Sequence, residues 1–203
     1  MEGTNPVNKK LAAALSGGAV LVLALSACSS NSGSSSSKVD KLDPWAKQVC
    51  DAVQPQVQKI SAANAEIQKE TTDQSTPADV QKADSKGFQD ISDAYKAMAA
   101  AIEQAGPPDV DNGKTKQANA VKELNALSTS YADLGKQSQA LNTKDQAKFA
   151  DGLDGVAQQL GKLSKTGTDA LKELEAGDAG TAMAKQPSCK SASASASPST
   201  TQG

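Results

Sequence analysis

Histidine and arginine are both absent from this sequence, whose 21 basic residues are all lysine. Without histidine the usual general base is missing, and with it the Ser/His and Cys/His nucleophile pairs and most zinc sites. Without arginine there is no bidentate fork for phosphate, and aromatics at 2% offer no platform for stacking bases. Nucleic acid is therefore not an expected partner. No glycine-rich phosphate cradle and no Cys-x-x-Cys pair occurs. Sustained alternation of apolar and polar residues is missing too, so no strands are expected and the fold class reads as all-α.

Two carboxylate clusters remain as candidates for chemistry, and each has a plainer reading. Asp151 and Asp154 stand three apart on one helical face, where charged residues ordinarily form a solvated surface. Asp109-Val110-Asp111-Asn112-Gly113 begins like a calcium loop, but glycine falls at position five instead of six and position twelve is Ala120 instead of glutamate. A helix start accounts for those residues better. No catalytic residue, cofactor or metal site is expected, and the chain does not read as an enzyme.

What is present begins with an export signal. Lys9 and Lys10 precede an uncharged run of 15 residues, Leu11 to Leu25, which is short for a membrane span. The run ends in Leu25-Ser26-Ala27-Cys28. That pattern resembles the lipobox of bacterial lipoproteins, whose cysteine is thioether-linked to a diacylglyceryl group and becomes residue one after cleavage. The resemblance implies lipid attachment at Cys28, palmitate or a similar acyl chain, and residence on the extracytoplasmic face of the cell membrane. Each buried methylene contributes about 0.8 kcal/mol, so two chains hold where one is marginal. Cleavage would leave 19 lysines against 22 acids, a net charge of -3.

The expected domains are a signal peptide over 1–27, a lipidated cysteine with a serine-rich tether over 28–42, a helical domain over 43–189 and a disordered Ser/Ala-rich tail over 190–203. Asp43-Pro44 supplies an N-cap acid and a proline at the first helical position. Trp45, Val49, Val53, Ile60, Ala63 and Ile67 follow on one face, with a kink or short break expected near Gln54 because Pro55 lacks an amide proton. Thr76-Pro77-Ala78-Asp79 starts a second helix, with a heptad seam of Phe88, Ile91, Tyr95, Met98, Ile102 and Ala105. Gly106-Pro107-Pro108 stops it. Asp111-Asn112-Gly113 opens a third, seamed by Val121, Leu124, Leu127, Tyr131, Leu134 and Leu141. A fourth follows a capping box at Thr143-Lys144-Asp145-Gln146 and runs from Phe149 to Leu174. Its four glycines cost about 1 kcal/mol each against alanine and predict a loose helix, weakest near Thr166-Gly167-Thr168. Four amphipathic segments with short connections predict an up-down-up-down antiparallel four-helix bundle.

With Cys28 taken by lipid, Cys50 and Cys189 remain, and export places them where cysteines tend to be bridged. In that topology the first helix starts and the fourth ends at the same pole, so a Cys50–Cys189 disulfide is expected, contributing at most about 4 to 5 kcal/mol by chain entropy. Trp45, one turn away, is expected to pack against it.

The lipobox, the serine tether, Trp45 five residues before Cys50, Gly106-Pro107-Pro108, the helical second half and the late Pro187-Ser188-Cys189 together resemble the small secreted lipoproteins of actinobacteria. That resemblance implies a lipid-anchored helical protein and brings no catalytic residue with it. The leading functional expectation is a non-enzymatic bundle, anchored to the membrane by its N-terminal lipid, that presents a surface to another envelope protein or to the cell wall. Its contacts are expected at the tips Thr71 to Ser75 and Leu141 to Thr143. The alternative is a small-ligand binding or sensing lipoprotein with a pocket between helices.

Overall fold

A computed structural model of the chain describes residues 36–72, 74–163 and 169–195. The leader, the lipobox Leu25-Ser26-Ala27-Cys28 and the serine tract up to residue 35 lie outside the described residues, as do Asp73, Thr166-Gly167-Thr168 and the last eight residues. Among the described residues there are seven helices and no strand, as an all-α reading requires. They are α1 (Ser36–Glu70), α2 (Pro77–Ala105), α3 (Gly113–Gln139), α4 (Gln146–Leu163), α5 (Asp169–Leu174), α6 (Gly177–Lys185) and α7 (Pro187–Ser195). None of them is long and apolar enough to cross a membrane.

The first helix corrects the expected boundary. It begins at Ser36, not at Asp43, so residues 36–42 of the expected tether are helical and Pro44 lies inside. Val39 and Leu42 are buried, and with Ala46 and Val49 they extend the apolar stripe upstream of the proline. An interior proline costs about 3 kcal/mol, and burying two branched side chains at roughly 1.5 to 3 kcal/mol each offsets it. The helix also continues through Pro55, so the chain does not break there.

Helix starts follow the chemistry of orphan amides. Thr76 Oγ1 accepts from the Asp79 amide at 3.2 Å, and an Asp79 carboxylate oxygen accepts from the Thr76 amide at 3.3 Å, a reciprocal cap for α2. For α4 the capping residue is Asp145, whose carboxylate accepts from the Lys148 amide at 3.1 Å, and not Thr143. At the start of α3, Asn112 takes the left-handed conformation with φ 58° and its carbonyl accepts from the Lys116 amide at 3.0 Å.

The described chain divides into two compact units. The first comprises residues 62–93 and 127–163. Hydrogen bonds and close contacts pair α2 with α3 in falling register: Gln81 with Gln139, Ser85 with Gly135, Phe88 with Tyr131 and Ser92 with Ser128. Those stretches are therefore antiparallel. Their approach is close, as small residues in the seams allow, because a β-carbon on Gly135 would sit 3.2 Å from the Ser85 carbonyl oxygen. The Ser92 hydroxyl donates to the Ser128 carbonyl at 2.7 Å, a buried bond contributing about 1 kcal/mol. Val80, Phe149 and Leu153 form an apolar cluster, with half-buried Leu141 packed against it.

The second unit comprises residues 36–61, 94–126 and 169–195. Its core draws on Val39, Leu42, Val49, Tyr95, Ile102, Leu124, Leu174 and Met183. The expected fourth helix ends at Leu163, and the chain continues as three short helices. Of these α6 was not foreseen, because its buried residues are Ala179, Gly180, Ala182 and Met183 rather than large aliphatics. Gly180 is required there: a β-carbon would collide with the Glu175 carbonyl. Residues 190–195, expected to be disordered, are the second half of α7. Pro187 stands at its first position, where the missing amide costs nothing, and the Lys190 amide closes the turn on Gln186 at 3.2 Å.

Candidate functional site

The cysteines expected to pair do so. Cys50 of α1 and Cys189 of α7 form a disulfide with Cα atoms 5.0 Å apart, and both residues are buried. Polar contacts flank it. Asp51 accepts from the Ser188 hydroxyl and from the Lys47 ammonium, each at 2.5 Å, and these bonds, Lys47 first, hold its carboxyl below the usual range. Lys185 of α6 donates to Asp40 of α1 at 2.8 Å. These pairs are exposed and screened by solvent, so the cystine carries the constraint. Trp45 is buried as expected, and its indole N–H donates to the Gly106 carbonyl at 2.9 Å, at the residue with φ 73° that follows α2. That bond ties the start of the buried α1 stripe to the end of α2.

Both tips expected to make contacts lie in the first unit. In one, the Thr71 hydroxyl donates to the Ile67 carbonyl at 2.7 Å, and the hydroxyls of Thr72 and Ser75 lie 2.9 Å apart. Thr72 and Gln74 are exposed. In the other, Leu141 does not project outward. Its side chain packs on Val80, Phe149 and Leu153, and its carbonyl accepts from the Gln81 side-chain amide at 2.7 Å. The outward groups there are Asn142 and Lys144, joined by a bond from the Lys144 amide to the Asn142 side chain at 3.0 Å.

Asp151 and Asp154 are exposed, and Asp154 accepts from the Gln158 side-chain amide at 2.7 Å. Among the described residues no group of three or more potential ligands is placed to hold a metal ion.

Three other carboxyl groups are pushed upward. Asp84 of α2 is fully buried, neither carboxylate oxygen has a hydrogen-bond partner among the described residues, and burial pushes its carboxyl up to about 7. Glu175, between α5 and α6, is likewise pushed up to about 7 by burial. Half-buried Glu123 of α3 is raised chiefly by desolvation, opposed by the bond its carboxylate accepts from the Ala170 amide at 3.0 Å. That bond caps α5 from a distant helix. One more buried polar atom lacks a partner in the first unit: the hydroxyl of Ser138 on α3. A signal for Asp84 existed, since it lies four residues before Phe88 and seven before Ile91, on the seam itself.

No protein-family model matches the chain, and no curated protein or solved structure does either.

Proposed function

We propose that this is a lipid-anchored extracytoplasmic protein that presents a helical surface to a protein or cell-envelope partner and catalyses no reaction. The observation that carries the reading is the buried Cys50–Cys189 cystine, since such bridges persist in oxidising compartments and are rare in the cytosol. It agrees with the leader and with Leu25-Ser26-Ala27-Cys28, which would supply the anchor.

The architecture proposed for the whole chain is an up-down-up-down bundle with the later helices completing the fourth arm. Its support is the antiparallel register of α2 and α3 in the first unit and the cystine between α1 and α7. In that arrangement the partner meets Thr72, Gln74, Asn142 and Lys144, a small polar surface suited to a hydrogen-bonding partner.

The test is photo-cross-linking in intact cells from probes replacing Gln74 or Asn142, with a probe at exposed Lys96 as control. A discrete adduct from the tip positions alone supports the reading. Equal labelling from all three positions contradicts it. Saturable thermal stabilisation by one small molecule, without an adduct, would replace it with a ligand-binding module between helices.

A further inference from the structure

The least compensated group in the first unit is Asp84. It is fully buried on the seam face of α2, and neither oxygen has a hydrogen-bond partner among the described residues. The register that sets Gln81 against Gln139 and Ser85 against Gly135 places Ser138 opposite the same turn, and its hydroxyl is also buried and unpartnered. Two unsatisfied polar groups thus occupy one level of an otherwise apolar interior.

Immediately above that level is the closure of the loop end. Val80 precedes Asp84 by one turn and belongs to the cluster with Phe149 and Leu153. Leu141, three residues after Ser138, covers that cluster, and Gly152 is the residue whose missing side chain leaves it room. What holds Leu141 down is the Gln81 side chain, bonded to the carbonyls of Leu141 at 2.7 Å and Gln139 at 3.0 Å. This strap is a non-helical connection tied to α2 by the Gln81 amide group and to the end of α3 by the Leu141 amide, which donates to the Ser138 carbonyl at 3.2 Å.

Among the described residues no cation is bonded to Asp84. Among the described residues of the first unit other than Asp84, Tyr131 is both ionisable and buried, and burial raises it to about 12, so it stays neutral. Asp90 and Glu70 are half-buried, Asp90 bonded to Lys86 and Glu70 paired with Lys69 at 3.7 Å. Glu66 and Lys69 of α1, Asp79, Lys82, Lys86 and Asp93 of α2, Asp133 and Lys136 of α3, and Lys148, Asp151, Asp154 and Lys162 of α4 are exposed. A carboxylate formed at Asp84 can regain hydration only if its surroundings open.

We propose that Asp84 is a proton-operated latch of the first unit: with its carboxyl protonated the loop end stays closed, and ionisation releases the Leu141 strap and exposes Val80, Phe149 and Leu153. The bond that changes is the carboxyl O–H, whose proton passes to solvent. The open state has an ordinary carboxyl and the closed state a raised one, so the opening constant rises about tenfold per pH unit between roughly 4 and 7 and levels off above.

Two measurements on the full chain test this. Amide hydrogen exchange between pH 5 and 8, corrected for the intrinsic pH dependence of exchange, should show protection in residues 78–92 and 147–160 falling about tenfold per unit up to pH 7. Asp84→Asn should abolish that dependence, while Glu175→Gln should leave it in place. An unchanged slope in Asp84→Asn, or a wild-type slope lost in Glu175→Gln, overturns the proposal. The second measurement needs no variant: carbon NMR of the Asp84 carboxyl in the wild type should titrate near pH 7, in step with the loss of protection. A midpoint near 4 overturns it.

Discussion

Replacing both Cys50 and Cys189 with alanine removes the cystine and leaves no free thiol behind. The residues are 139 apart in sequence, so the bridge closes almost the whole described chain into one loop. For a loop of that length the chain-entropy relation gives about 5 kcal/mol at 25 °C. That is a third to all of the stability of an ordinary domain, roughly 5 to 15 kcal/mol. Domains of this size shift by about 2 to 4 °C per kcal/mol, so the melting temperature should fall by about 10 to 20 °C. Urea titrations of the oxidised wild type, the reduced wild type and the double variant should place the last two together, well below the first. Because the constraint acts on the unfolded chain, the slope against urea should steepen when it is lost. A double variant within about 1 kcal/mol of the oxidised wild type, with the same slope, would refute the view that the cystine constrains the unfolded chain.

Three further outcomes are expected. Gly180→Ala should destabilise by about 2 kcal/mol, since the new methyl meets the Glu175 carbonyl, whereas Gly155→Ala, with open space around it, should stabilise by up to about 1 kcal/mol; urea midpoints of equal sign would contradict the contrast. Glu175 holds its proton in the folded state up to about pH 7 but only to about 4.5 when unfolded, so its contribution falls as pH rises through that window, by about 3 kcal/mol in all, and is flat above. Urea titrations from pH 4 to 8 should show Glu175→Gln losing that share of the slope, and an identical slope in both proteins would contradict it. Trp45 should emit in the blue with little quenching by acrylamide, and Trp45→Phe should cost about 1 kcal/mol through the lost bond to Gly106; red, fully quenchable emission would contradict its burial.

How far the fold could be read beforehand depended on how each residue stabilises it. Phe88, Ile91, Tyr95, Met98 and Ile102 were legible because large apolar side chains at helical spacing have no other use. Val39 and Leu42 were not, because Asp43-Pro44 is a strong local start signal and only tertiary burial could override it. Helix α6 hid in an Ala/Gly-rich stretch, where packing comes from close backbone approach instead of side-chain bulk. The cystine partners followed from the two cysteines that remain once Cys28 is assigned to lipid, whereas Asp84 shares the seam spacing of Phe88 and Ile91 but stands among 23 acids. Its distinction is the absence of a partner, which sequence spacing does not display.

The proposed anchorage outside the cytosol requires a lipid on Cys28. Metabolic labelling with an alkyne fatty acid, comparing the wild type with Cys28→Ala, tests it most directly. The wild type should carry label and fractionate with membranes, and Cys28→Ala should lose the label and retain an uncleaved leader. Equal label in both, or an unlabelled wild type in the cytosol with Cys50 and Cys189 reduced, would contradict it.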